Sequence, residues 1–197
     1  MTTPTIATAT RVALAMRPES GRLALPLPVR TGRGNLASAW KSSTLAFVMF
    51  AAPAVADTIF VSNEKDNTVT VLDSETMKIV KTIPTGLRPR GIIITPDFTE
   101  VLVCAGDDNR LDVIDTEKLE VPRTLPSGPD PELLDVDPKG ERIYIANEDD
   151  SIVTVLQRAD GKVLSEVAVG IEPEGMAVSP DNKITVATSE ATSMAHV

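Results

Sequence analysis

Apolar and polar residues alternate along much of the chain with a period of two. That is the period of β-strands, whose successive side chains point to opposite faces. Val69-Thr70-Val71, Leu111-Asp112-Val113 and Val153-Thr154-Val155 alternate in this way. Other short runs are rich in β-branched residues: Thr58-Ile59-Phe60-Val61, Val101-Leu102-Val103 and Arg142-Ile143-Tyr144-Ile145. Turn-forming residues interrupt these runs every ~8–12 positions, and proline recurs too often for helices. The pattern predicts strands near 58–62, 68–73, 78–84 and 90–95.

The pattern then repeats. Gly86, Gly128 and Gly170 lie 42 residues apart, and so do Pro89, Pro131 and Pro173, and Pro96, Pro138 and Pro180. A period of ~40–45 residues fits a four-stranded propeller blade or a two-helix solenoid unit, and the strand periodicity decides for the blade. With blade strands lettered A (inner) to D (outer), 58–62 is a B strand, 68–73 a C, 78–84 a D, and 90–95 the A of the next blade. The A–B turns are then Thr95-Pro96-Asp97-Phe98, Asp137-Pro138-Lys139-Gly140 and Ser179-Pro180-Asp181-Asn182. Proline presets φ for position i+1 of a type I turn and Gly140 suits i+3, whereas Phe98 departs from the pattern.

The expected fold is therefore all-β: a β-propeller of four-stranded antiparallel blades, here an incomplete arc of about three blades plus part of a fourth. Residues 57–197 number 141, which is three periods of 42 and 15 more. The first blade is expected to hold B, C and D without a preceding A. The last is expected to have an A strand from about Glu174 and a B strand from about Ile184, with no C or D after them. Closed propellers have roughly 4–8 blades. The chain is thus expected to be a fragment or a frameshifted product, with open edges that favour aggregation.

Charge divides the chain in two. Residues 1–56 carry Arg11, Arg17, Arg22, Arg30, Arg33 and Lys41 against Glu19, a net +5, while 57–197 carry 13 basic and 27 acidic side chains, a net −14. Lys41, the apolar run 45–52 and Ala54-Val55-Ala56 before Asp57 form the charged, apolar and small–x–small regions of a secretory signal. The run is too short to span a bilayer. The division expected is an N-terminal extension plus signal peptide over 1–56, cleaved after Ala56, and repeats over 57–197. Residues 1–35 are long and Thr/Arg-rich for a signal, which suits a start assigned too far upstream or an organellar extension. An acidic balance argues against nucleic acid as the partner. One cysteine and one histidine exclude a disulfide framework and a His-rich metal centre, and 3% aromatics require an aliphatic core.

Phe60-Val61-Ser62-Asn63, Tyr144-Ile145-Ala146-Asn147 and the Val-x-Val-x-Asp that follows resemble the Tyr-Val-Thr-Asn (YVTN) family of β-propeller repeats. A narrower resemblance is to the propeller proteins associated with pyrroloquinoline quinone (PQQ)-dependent alcohol catabolism. It rests on Ser62 to Asn67, Ser127 to Glu132, Ala146 to Asp150, Glu172 to Met176, Thr188-Ser189-Glu190 and Met194-Ala195-His196. This resemblance implies a periplasmic, seven-bladed protein encoded beside a transport system, and implies no molecular activity. Trp-Asp repeats and the quinone-binding dehydrogenases are disfavoured, because the one tryptophan is Trp40, in the leader.

In antiparallel blades the B–C and D–A loops share one face. The B–C loops bring Glu64 to Asn67, Asp107 to Arg110 and Glu148 to Ser151 to it. The D–A loops bring Arg88 and Arg90, then Asp130 and Glu132, then Glu172 and Glu174. Arg90, Glu132 and Glu174 begin A strands and are expected to ring the channel mouth as exposed charges. Charge focused in a cleft concentrates a partner of opposite sign. These six residues are the candidate binding site, for a protein partner or a small polar ligand, although Asp, Asn and Gly are also ordinary turn formers. No loop has EF-hand spacing, and no nucleophile elbow, zinc-protease motif or phosphate loop occurs, so no catalytic residue, metal or cofactor is assigned. Cys104 shares a repeat position with Ser62 and Ala146 and reads as a packed small residue; His196 reads as an exposed terminal residue. The function expected is non-catalytic binding or scaffolding without stable membrane insertion. The alternatives are a lactonase-like propeller hydrolase with a metal at the mouth and a surface-layer structural module.

Overall fold

The computed structural model describes residues 11–15 and 57–197, and every regular element among them is a β-strand. The apolar run 45–52 and the Ala54-Val55-Ala56 site lie outside the described residues. Four antiparallel sheets follow one another along the chain. The first contains β1 (Arg11–Ala15), β2 (Thr58–Asn63), β3 (Thr68–Asp73) and β4 (Ile79–Pro84). The second contains β5 (Pro89–Ile94), β6 (Glu100–Ala105), β7 (Arg110–Asp115) and β8 (Glu120–Pro126). The third contains β9 (Pro131–Val136), β10 (Arg142–Asn147), β11 (Ile152–Gln157) and β12 (Val163–Ala168). The fourth contains β13 (Pro173–Val178), β14 (Thr185–Ser189) and β15 (Met194–His196). The inner strands β1, β5, β9 and β13 neighbour one another in sequence order, and the sheets do not close into a ring. The expected incomplete propeller is what the chain forms.

Two strands depart from expectation. Arg11–Ala15 fills the A position of the first blade, paired antiparallel with β2 from Arg11 opposite Ser62 to Ala15 opposite Thr58. Its five residues are too short a run to stand out amid Pro/Arg-rich sequence, and the open edge of β2 supplies the pairing. At the other end β15 adds a C strand to the fourth blade, pairing with β14. Its three residues carry no alternation long enough to read.

Both faces of each central sheet are buried, because alternate residues serve different neighbours. Val101, Val103 and Ile114 of the second sheet pack on Phe60, Val69, Val71 and Ile83 of the first. Leu102, Cys104, Leu111, Val113 and Leu125 pack on Leu134, Val136, Ile143, Ile145 and Leu156 of the third. Cys104 is a core residue. Ile83, Leu125 and Val167 share one repeat position, yet they are 2%, 4% and 50% exposed. The first two lie under the next blade; Val167 faces a sheet that has three strands among the described residues.

Backbone conformation repeats as strictly as the strands. Left-handed residues recur 42 apart at Asn67, Asn109, Ser151 and Ser193, at Met77, Leu119 and Gly161, at Arg88, Asp130 and Glu172, and at Phe98, Gly140 and Asn182. The A–B turns close with the i+3 amides of Phe98, Gly140 and Asn182 donating to Thr95, Asp137 and Ser179. Phe98 thus adopts the conformation that glycine and asparagine take in its repeat mates.

Close approach of inner strands requires Gly91, where a Cβ would run into the Glu132 backbone carbonyl and lie 3.1 Å from Cys104 Sγ. Gly91→Ala should lower stability by about 1–3 kcal/mol through overpacking. Gly140→Asn, in a left-handed turn where a Cβ would make ordinary contacts 3.6 Å from Pro96 and 3.8 Å from Arg158, should stay within about 0.5 kcal/mol of the parent. Denaturant titration of both variants checks this, and equal stabilities would contradict the packing argument.

Candidate functional site

Three backbone features, repeated in the blades built on β5, β9 and β13, build the mouth. The first is the left-handed residue before each inner strand: Arg88, Asp130 and Glu172. An asparagine from the preceding B–C loop holds it, since the Arg88 amide donates to Asn67 Oδ1 and the Asp130 amide to Asn109 Oδ1, each at 2.9 Å. The second is a bond from the residue after strand B to that turn's carbonyl. Gly106, Glu148 and Glu190 donate their amides to the carbonyls of Arg88, Asp130 and Glu172. The third is a slip in the A–B ladder at the start of each inner strand: between Pro89 and Ile92, opposite Ala146/Asn147, and between Pro173 and Gly175. Arg90, Glu132 and Glu174 are the residues in these slips. A bulge of this kind re-aims a side chain out of the regular alternation.

The bulges turn these side chains toward a charged cluster centred on Arg88. Arg88 Nη2 donates to Asp130 Oδ2 at 2.9 Å and to Glu132 Oε1 at 2.6 Å, and lies 3.8 Å from Glu148 Oε2. Arg88 Nη1 donates to Asp107 Oδ1 at 3.3 Å, and Nε lies 3.8 Å from Glu64 Oε1. Arg90 Nη1 pairs with the same Glu132 Oε1. Gly106 makes room for this, since a Cβ there would lie 2.6 Å from Asp130 Oδ1 and 3.4 Å from Arg88 Nε.

Of the six residues singled out in the sequence, Arg88, Arg90, Asp130 and Glu132 meet directly. Glu174 sits one blade on, beside Glu190, with the charge of Arg90 acting on it. Glu172 contributes its carbonyl to the frame. Glu132 corrects the sequence reading: it is no exposed rim charge but 0% exposed, beneath both arginines. His196 corrects it too, because its Nε2 accepts the Gly170 amide at 2.9 Å, where Asp112 accepts that of Gly86. Glu148, Glu190 and Asp107 were not singled out. The signal for two of them was present: Glu64, Glu148 and Glu190 are 42-residue repeat mates, and they face the 90/132/174 position.

Electrostatics follow the burial. Burial works against the charge of Arg88, yet Asp130 and Glu132 hold it above the ordinary range for arginine. Burial pushes the Asp130 carboxyl up, against the pull of Arg88. Glu132 is pushed up to about 7, by burial and by Glu148, which outweigh the two arginines. Glu174 is raised by burial and by Glu190. Carboxyls therefore face each other in two successive blades, Glu132 with Glu148 and Glu174 with Glu190. The second pair lines an open pocket of about 490 Å³ with Thr188, Ser189, Ser193, Met194 and Ala195.

The two ends of the sheets differ in how far polar groups are satisfied. At the opposite end Arg158 reaches Asp97 at 2.6 Å and Glu100 at 3.5 Å, and Arg123 holds Glu100 at 2.8 Å. Asp97 is held below the usual carboxylate range, chiefly by Arg158. At the mouth, Arg88 Nε, Arg90 Nε, Asp130 Oδ1, Glu132 Oε2, Asn147 Oδ1, Glu148 Oε2, Ser189 Oγ and Thr192 Oγ1 are buried without a hydrogen-bond partner. All the unpartnered buried side-chain atoms among the described residues lie at this end.

Glu132 gives a pH dependence of known sign. The folded protein holds its proton up to about pH 7, against 4.5 for the ordinary group. The stabilising contribution is fully present below the unfolded value and is lost as pH rises through the folded one. With chelator present, the melting temperature should fall from about pH 5 to about pH 8. Glu132→Gln, which mimics the protonated form, should flatten that fall. An unchanged slope in the variant would assign the pH dependence to other groups.

A family model described as a YNCE-like beta-propeller matches residues 32–127. No curated protein matches the chain. Among solved structures, a chain of hydrazine synthase from Kuenenia stuttgartiensis is similar, with a TM-score of 0.64 and 23% identity. The match covers 68% of this chain and 39% of that one, so this chain spans well under half of that relative's length. At that identity the likeness concerns the fold alone. The sheet order, the 42-residue frame and these matches agree on one conclusion: this chain carries a β-propeller fold, which suggests a binding or scaffold role.

Proposed function

We propose that the chain is a periplasmic, non-catalytic propeller of the YVTN-repeat type, associated with PQQ-dependent alcohol catabolism and its transport system. It binds a protein partner or small polar ligand through the charged mouth. One observation carries the binding reading: polar groups are paired at one end of the sheets and left over, buried, at the other. A buried polar atom without a partner costs about 1–3 kcal/mol, a cost that a bound ligand removes. Asp107 and Asp149 act at the cluster, and Glu174 and Glu190 stand one blade on, so the mouth suits a positively charged group.

The lactonase-like alternative keeps one observation in its favour, the convergence of Asp130, Glu132 and Glu148 at the mouth. Against it, the sequence carries no nucleophile elbow or zinc-protease motif. Turnover of lactones that disappears in Glu132→Gln would favour the hydrolase.

Two measurements test the proposal. In a Gram-negative host, terminal sequencing of the periplasmic product should begin at Asp57; an intact leader on a cytoplasmic product overturns the export reading. Such cleavage would also separate β1 from β2. A melting-shift screen of small polar compounds and basic peptides should single out members with ammonium or guanidinium groups. Their effect should shrink at high salt and at least tenfold in apparent affinity in Glu172→Gln/Glu174→Gln. Hits confined to anions, or hits indifferent to that double variant, overturn the binding reading.

A further inference from the structure

The mouth holds a set of buried oxygens that no hydrogen bond takes up, although Glu148 Oε2 lies 3.8 Å from Arg88 Nη2. Arg88 takes Oδ2 of Asp130 and Oε1 of Glu132, and Arg90 takes the same Oε1. Asp130 Oδ1, Glu132 Oε2 and Glu148 Oε2 are left buried without a donor. Glu132 is 0% exposed, and its neighbour across the free oxygen is another carboxyl, that of Glu148. Once both carboxyls are ionised, the two facing acceptors have no hydrogen bond to make, and a buried carboxylate oxygen is costly to leave bare.

We infer that Asp130, Glu132 and Glu148 form a divalent-cation site of the calcium type. The site deepens the binding reading, because an ion there would lie directly beneath the charged rim. One ligand oxygen from each residue lies within 4.8 Å of the other two. Three carboxylates suit calcium, which takes many oxygens in flexible geometry, better than magnesium, which keeps several waters and is usually held by one or two carboxylates. All three donors are hard carboxylate oxygens, which disfavours zinc and copper. Arg88 hydrogen-bonds one oxygen of Asp130 and one of Glu132 and leaves the second oxygen of each without a hydrogen-bond partner. It does not neutralise the cluster, where Glu64, Asp107, Asp130, Glu132 and Glu148 face Arg88 and Arg90. The next repeat carries the same set as Glu172, Glu174 and Glu190, but among the described residues only Asp130, Glu132 and Glu148 bring three ligand oxygens together. The 130/132/148 positions correspond to Arg88, Arg90 and Gly106 one repeat earlier, which offer no side-chain oxygen.

Calorimetric titration of the chelator-stripped full chain with calcium chloride tests this. One site per chain is expected, with a dissociation constant of about 10⁻⁵–10⁻³ M, since three protein ligands leave the rest of the shell to water. Magnesium should bind at least tenfold more weakly. Glu132→Gln should weaken calcium at least tenfold, with circular dichroism reporting whether the variant is folded. Glu148→Gln, at a half-buried position on the loop, gives the same reading if Glu132→Gln unfolds. Glu172→Gln/Glu174→Gln, which tests the rim, should leave calcium binding unchanged. Failure of the rim variant to affect ligands would therefore leave the metal site standing, and the reverse also holds. No calcium heat with the parent chain overturns the site. So does calcium binding that survives both Glu132→Gln and Glu148→Gln, or that depends on the rim pair instead.

Discussion

The bond from the amide after strand B to the carbonyl of the preceding D–A turn holds each mouth segment in place. It runs from Gly106 to Arg88, from Glu148 to Asp130 and from Glu190 to Glu172. It clamps the left-handed turn residue against the end of strand B, and beside it the inner strand slips by one residue. Because the frame recurs every 42 residues, the geometry is constant and only the side chains change. One blade offers Arg88, Arg90 and Gly106; the next offers Asp130, Glu132 and Glu148. The chemistry of the mouth arises where these two sets meet, with the arginines of one blade reaching into the carboxylates of the next.

Packing explains why this meeting is so close. The inner strands approach without side chains at Gly91, where Cys104 and the Glu132 backbone occupy the space a Cβ would need. Alternation within each central sheet sends Leu102 and Cys104 to one neighbour and Val101 and Val103 to the other. The sheets are therefore pinned from both faces by aliphatic contacts, and the mouth is carried on a rigid scaffold. Held in this way, Glu132 cannot move to water, and its charge must be met by whatever the fold places around it.

The contrast between the two ends bears on what kind of cost the fold retains. The Arg158–Asp97 pair joins neighbouring blades, and Arg123 holds Glu100 of its own blade while donating to the Arg158 carbonyl of the next, with polar groups satisfied. The mouth carries more charge and leaves buried oxygens over. Sites that violate the pairing rule while the rest of a fold obeys it are expected to be functional. The left-handed backbone at Arg88, Asp130 and Glu172 is not in itself such a violation. The blades built on β5, β9 and β13 all have it, and its origin is structural.

Much of this was legible in the chain alone. Alternation and the 42-residue columns of glycine and proline determined the blade, its strand order and the strand limits to within about a residue. They also put Arg88, Arg90, Asp130 and Glu132 on one face. Those signals are local or periodic, so they survive without coordinates. Tertiary structure alone decided the rest. Glu132 looked like a rim charge because a bulge has no residue signature, and only the ladder slip turns the side chain under two arginines. Glu148 and Glu190 looked like ordinary loop acids until the backbone bond to the neighbouring turn brought them against Glu132 and Glu174. Arg11–Ala15 and Met194–His196 are too short to declare themselves, and become strands because an open edge is there to pair with them. Except in the β14–β15 hairpin, the deciding contact joins residues well separated in sequence.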